Sequence, residues 1–152
     1  MNRLAFYAVL IPVLAIALCA PPRASESAYA LSGDEAVSLI CRAEYEWGHH
    51  AVLARRAGLT DDELRRITRG PEAEGWSAHD SALLRAVDEL HDEARIGDAT
   101  WAALAERYTT QQMMDVVFTV GEYNLVSMAL RSFGVEREEG VEGFPAEGSP
   151  AR

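Results

Sequence analysis

The sequence contains no lysine, since all 14 of its basic residues are arginine. Schiff-base chemistry and the phosphate-binding P-loop both depend on a lysine amine, so neither belongs to this chain. The basic residues are outnumbered by 24 acidic ones, which gives a net charge of −10 over 152 residues. Such a charge repels phosphate backbones and anionic lipid heads. We therefore expect no nucleic-acid partner, and no membrane partner once the apolar leader is removed.

Cysteine is also scarce, with Cys19 and Cys41 as the only two. Cys19 lies in an apolar leader, so the sequence offers neither a C-x-x-C pair nor a four-ligand zinc site. Dithiol redox chemistry within one mature chain is therefore disfavoured. Cys41 is interpreted as a small buried apolar residue, and we expect no metal and no other cofactor.

Residues 1–30 predict a secretory signal peptide. Arg3 precedes an apolar run over residues 4–20, and residues 28–30 (Ala-Tyr-Ala) fit the small-residue cleavage rule. The alternatives are cleavage near Cys19, an uncleaved anchor, and a helix of the domain core. A functional signal peptide would make the protein secreted or periplasmic, and without one it would be cytoplasmic.

Residues 31–135 predict a single all-α domain, because no window alternates apolar and polar residues as a strand does. Apolar spacing and end signals predict five helices, over about 33–57, 61–69, 78–95, 97–108 and 110–134. The fifth is apolar nearly all round, so we expect it to be buried centrally or against a neighbouring subunit. Residues 136–152 are rich in Glu, Gly and Pro without periodicity, which predicts a disordered tail.

One stretch of the first helix carries candidate chemistry. Glu46 and His50 lie about 40° apart on one helix face, and His49 flanks Glu46 on its other side. The neighbouring positions on this face are small and apolar, as at a core or a closed pocket. Burial disfavours the charged form of the Glu46 carboxylate, whereas the adjacent imidazole favours it. Because these effects oppose one another, the pair could share a proton for general acid–base catalysis. The alternative is a surface pair worth about 0.3–0.5 kcal/mol, and a metal site here lacks a further ligand.

The residues around this pair resemble the carboxymuconolactone decarboxylase family, which has the alkylhydroperoxidase D-like fold. The resemblance extends over most of the domain, through the segments 43–60, 86–91, 121–124 and 133–135 together with Trp101. The peroxidase branch carries C-x-x-C-x-x-x-H on this helix. With His50 as the final histidine, Ala43 and Glu46 stand where the two cysteines would be. Decarboxylase members have E-x-x-x-H instead, which Glu46 and His50 match.

The resemblance implies an α-helical bundle that assembles as a trimer or a hexamer. It also implies a cofactor-free lyase or proton-transfer enzyme whose substrate is a small carboxylated lactone or ring acid. In that interpretation His50 is the acid, and Glu46 orients it or relays the proton. Arg42 or Arg55 would bind the substrate carboxylate, and further candidate pocket residues are His49, Glu122 and Tyr123.

Two alternative functions stay open at the level of the sequence. One is an alkylhydroperoxidase D-like peroxidase with peroxiredoxin activity, which the missing C-x-x-C motif disfavours. The other is a non-catalytic oligomeric scaffold. The two remaining histidines, His79 and His91, stand beside aspartates and are expected to be solvated.

Overall fold

A computed structural model describes residues 43–145 of the chain. These residues form five helices and no strand, which confirms the predicted all-α class. The helices are α1 (Glu44–Ala57), α2 (Asp61–Ile67), α3 (Ala78–Glu93), α4 (Asp98–Ala105) and α5 (Thr110–Ser132). Within this part of the chain no helix is long and apolar enough to cross a membrane. The leader, the predicted helical residues before Ala43, Cys41 and Arg42 lie outside the described residues.

Local signals define the ends of these helices. The side chains of Thr60 and Thr109 each cap a helix in a reciprocal capping box, with Glu63 and Gln112 respectively. Helix α1 ends at Gly58, whose φ of 106° favours a residue without a Cβ. These turns are encoded within a few residues, so the sequence predicted them closely.

Two apolar clusters hold the helices together. The first joins α1 and α2 to the facing sides of α3 and α5, and it includes Trp47, Leu64 and Val87. The second joins α3, α4 and the start of α5, around Leu83 and Leu104. Removal of this apolar surface from water is the main favourable term for folding.

Helices α1 and α5 run antiparallel. Residues 43–45, at the start of α1, and residues 130–131, near the end of α5, line one cleft of about 410 Å³. Further along α1, His50 contacts Tyr123, which lies correspondingly earlier on α5. The start of α1 therefore lies near the end of α5, and His50 lies beside an earlier turn of α5.

Helix α5 is buried on one side only within this chain, so the expectation that it lies at the centre of the domain is wrong, and burial of its other side against a neighbouring subunit stays a prediction. Met113, Val120 and Tyr123 face the interior. The opposite side carries a stripe of large apolar side chains that are 50–66% exposed, namely Met114, Phe118, Leu125 and Met128. The sequence shows that both sides are apolar, but only the packing shows that the other described helices cover one of them.

Residues 136–145, here called the C-terminal segment, lie against α1, although their composition predicts disorder. Arg137 pairs with Glu44, and the ring of Phe144 packs 5.5 Å from that of Trp47. Gly48 permits the close approach, because a Cβ there would overlap the Val141 side chain. The charges that suggested a solvated tail are thus paired with charges of α1, and residues 146–152 lie outside the described residues.

Candidate functional site

Glu46 and His50 form a buried pair on α1. Their side chains meet at 3.4 Å, between Glu46 Oε2 and His50 Nε2, and the residues are only 1% and 6% exposed. The i,i+4 spacing of a helix brings them together, and the apolar neighbours of α1 turn this face inward. The surface-pair alternative is therefore wrong, since both groups are removed from bulk water.

Tyr123 of α5 completes this arrangement. Its hydroxyl lies 3.2 Å from His50 Nε2, and the two rings pack edge to face with centroids 5.0 Å apart. Tyr123 is itself buried. Of the further pocket candidates among the described residues, it is the one that the structure brings to the pair, and we call Glu46, His50 and Tyr123 the buried triad.

The geometry of the buried triad suits proton exchange. His50 Nε2 lies within reach of both the carboxylate and the phenol. As an N–H it can donate to either oxygen, and as a bare nitrogen it can accept from the tyrosine hydroxyl. Gain or loss of the proton on Nε2 thus changes which oxygen the His50 ring hydrogen-bonds. Bulk water does not compete for these hydrogen bonds, because the three residues are buried.

The three residues of the buried triad are each at most 7% exposed. Clefts of about 510 and 410 Å³ are present on the surface of residues 43–145, and neither of these is lined by a member of the triad. The cleft of about 510 Å³ lies between Trp47, Leu64 and the end of the C-terminal segment.

The structure does not bring His49 or Glu122 to the buried triad. His49 is on the outer side of α1, where it contacts Glu138 at 3.0 Å and packs against the ring of Tyr45. Glu122 is half-buried and points about 100° around α5 from Tyr123. Arg42 is outside the described residues.

Arg55 is engaged elsewhere and does not serve this site. It lies nearly opposite Glu46 around α1, where its guanidinium binds Glu142 and, at 2.8 Å, Asp61. These hydrogen bonds, first with Glu142 and then with Asp61, raise the pKa of Arg55 above its usual value. Arg55 therefore joins α1 to the start of α2 and to the C-terminal segment.

Three polar residues within residues 43–145 are buried that the sequence analysis did not place in the interior, namely His79, Thr100 and Ser127. His79 is 8% exposed and meets the ring of Tyr108 edge to face, so the expectation that it is solvated is wrong. Burial, followed by the nearby charge of Arg107, lowers the pKa of His79. Ser127 is fully buried on α5, and its position one turn after Tyr123 is the sequence signal that could have identified it.

No group of three or more His, Cys, Asp and Glu side chains within residues 43–145 is arranged to hold a metal ion. The two positions at which the resemblance would require thiols are Ala43, which directly precedes α1, and Glu46. Both are buried. The redox-active thiol pair therefore has no equivalent at these positions.

The solved structures contain a similar protein. It is a protein of unknown function from Agrobacterium tumefaciens, assigned provisionally as the antioxidant defence protein AhpD. The two superpose with a TM-score of 0.74 over 90% of this chain and 92% of that chain, at 17% sequence identity. The chain has the alkylhydroperoxidase D-like fold. No protein-family model matches it, and no curated protein matches its sequence.

The shared architecture confirms the predicted alkylhydroperoxidase D-like fold. At this identity the similarity concerns the architecture, and the chemistry must be argued from the side chains.

Proposed function

We propose that the protein is a cofactor-free lyase or proton-transfer enzyme that acts on a small carboxylated lactone or ring acid. The observation that carries this proposal is the buried triad, in which a carboxylate, an imidazole and a phenol meet at one nitrogen. Such groups supply general acid–base catalysis without a bound cofactor. The match of Glu46 and His50 to E-x-x-x-H narrows the proposal to decarboxylation.

The reaction would proceed by loss of CO₂ from a carbon next to an unsaturated lactone. The electrons of the broken carbon–carbon bond delocalise into the conjugated system, and a proton must then be added at its far carbon. His50 donates that proton to the substrate. Glu46 then passes a proton from solvent to the His50 ring. Tyr123 orients the ring so that Nε2 can donate its proton.

Two alternatives receive less support from the site. A peroxidase would need a pair of thiols, whereas Ala43 and Glu46 occupy the motif positions, so we expect peroxide reduction to be absent. A scaffold has no use for a buried carboxylate and imidazole, because burial of such groups carries a desolvation cost that a hydrophobic pair avoids.

Release of CO₂ from a panel of unsaturated lactone acids and β-keto acids tests the proposed function. We expect turnover of at least one ring acid, and its loss in Glu46→Gln. Glu44→Gln is the matched control, since Glu44 is on the same helix and half-exposed in an ion pair with Arg137. Turnover that survives Glu46→Gln would exclude the triad, and no turnover of any panel member would favour the scaffold.

We also propose that the chain is a homo-oligomer, most simply a trimer or a hexamer. The exposed apolar stripe of α5 supports this, because monomers seldom leave four large apolar side chains of one helix face in water. Export with removal of residues 1–30 remains a separate proposal. Intact mass measurement of the protein from its native host would test it, and a retained Met1 would contradict it.

A further inference from the structure

Two buried side-chain oxygen atoms on α1 and α5 have no hydrogen-bond partner among residues 43–145. One is Oε1 of Glu46, whose other oxygen faces His50, and the second is the hydroxyl of Ser127. The two residues are 1% and 0% exposed. Buried polar atoms are nearly always hydrogen-bonded, to protein or to an internal water, so two orphans in one core require an explanation.

The antiparallel arrangement of α1 and α5 places these two atoms at the same level. His50 faces Tyr123. Glu46 is one turn before His50 on α1, and Ser127 is one turn after Tyr123 on α5. Because the two helices run in opposite directions, Glu46 and Ser127 lie at the same height along the pair. Residues one turn apart share a helix face, so Glu46 points inward as His50 does, and Ser127 points inward as Tyr123 does.

The occupant of this position is small. It must lie within reach of a carboxylate oxygen and a hydroxyl that do not bond one another. Glu46 and Ser127 are at most 1% exposed, and such close packing around both residues favours a small occupant. A water molecule can donate to the carboxylate and accept from the hydroxyl, and two such polar partners suffice to hold one.

We propose that Ser127 is a positioning residue of the site and that it binds, together with Glu46 Oε1, one internal water molecule. This water links α1 to α5 and holds the carboxylate so that Oε2 faces His50. It also provides the next member of a proton relay behind Glu46. The relay role rests on the proposed function, whereas the water site does not.

The test compares wild type with Ser127→Ala and Ser127→Thr, and uses Ser132→Ala as the matched control at an exposed serine of the same helix. We expect a crystal structure of wild type to show a water within hydrogen-bond distance of Glu46 and Ser127. The water should persist in Ser127→Thr, which keeps the hydroxyl, and should be lost in Ser127→Ala.

Thermal unfolding of the same proteins gives a second measurement that needs no substrate. Ser127→Ala should lower Tm by several degrees, and Ser132→Ala should leave it unchanged. A direct hydrogen bond between Ser127 and Glu46, or a Ser127→Ala protein whose Tm equals or exceeds that of wild type, would overturn the proposal. Since neither result depends on catalysis, failure of the water site and failure of the proposed function are distinguishable.

Discussion

Glu46 and Tyr123 both meet His50 at its Nε2 atom, and this shared nitrogen determines what each side chain contributes. The carboxylate can exchange a proton with the ring, whereas the phenol hydroxyl orients the ring through its hydrogen bond. Removal of either partner leaves the other two in the interior with an unsatisfied group, so the three residues should behave as one unit.

We predict that Glu46→Gln and His50→Ala each lower the turnover of the ring acid by about 10²–10⁴-fold, the usual contribution of general acid–base catalysis. The double variant should be scarcely slower than either single one, because residues that act as a unit give non-additive losses. Tyr123→Phe should lose less, since it removes orientation but not the proton. Steady-state rates of the single and double variants test this prediction, and circular dichroism checks that their helical content is unchanged. Losses of turnover that add up in the double variant would contradict it.

A second prediction at this scale concerns two helical glycines. Gly48→Ala should destabilise the protein by about 1–3 kcal/mol, because the new Cβ overlaps Val141 and the carbonyl of Glu142. Gly121→Ala is the matched control, since nothing in the described structure lies within 4 Å of its new Cβ. That variant should gain roughly 0.5–1 kcal/mol from helix propensity. Urea unfolding measures both, and equal effects would mean that the C-terminal segment does not pack on α1.

At the scale of the helix, residues 43–145 contain two capping boxes that differ in one group. The box of α2 uses the carboxylate of Glu63, and the box of α5 uses the amide of Gln112. Hydrogen bonds from the backbone N–H of Thr60, and then from its side chain, lower the pKa of Glu63. The α2 box is therefore pH-dependent and the α5 box is not.

The direction in which pH changes the stability of the α2 box follows from the linkage between proton binding and folding. A carboxylate with a lowered pKa in the folded state stabilises the protein above its unfolded pKa of about 4.3, and the contribution is lost as the pH falls through the folded value. We predict that the amide proton shift of Thr60 titrates as the pH is lowered, with a midpoint below the unfolded pKa of about 4.3. The amide of Thr109 should stay constant. Parallel titration of the two amides would show that the α2 box is not formed.

At the scale of the whole molecule, the stripe of Met114, Phe118, Leu125 and Met128 is the largest departure from a self-contained monomer. Their spacing places all four within about 80° of one another around α5. Such a face is apolar enough to drive self-association, and the acidic net charge opposes any non-specific form of it.

We predict that the protein sediments as an oligomer at micromolar concentration and that Phe118→Glu dissociates it. A buried charge in the middle of the stripe would have no partner, so the cost of association should rise by several kcal/mol. Ala78→Glu introduces the same charge at an exposed position on α3 and should leave the assembly intact. A wild-type protein that sediments as a monomer would remove this proposal.

The amino-acid sequence by itself determined the all-α class, most of the helix ends and the Glu46–His50 pair. It did not determine the start of α1, because the apolar spacing predicted a helix that includes Ala43, whereas α1 begins at Glu44. These features depend on contacts within about four residues, where the backbone geometry of a helix leaves little choice. The triad needed more, because Tyr123 is 73 residues from His50 in the chain and reaches it only through the packing of α5 on α1.

Only the tertiary structure decided where the remaining polar groups lie. His49, one residue from the pair, faces outward and binds Glu138 of the C-terminal segment. Arg55 is engaged by Glu142 of the same segment, which composition alone marked as disordered. Likewise, the apolar pattern of α5 is the same on its covered and its exposed sides. Which groups become partners depends on the relative positions of distant helices, and no local pattern records those positions.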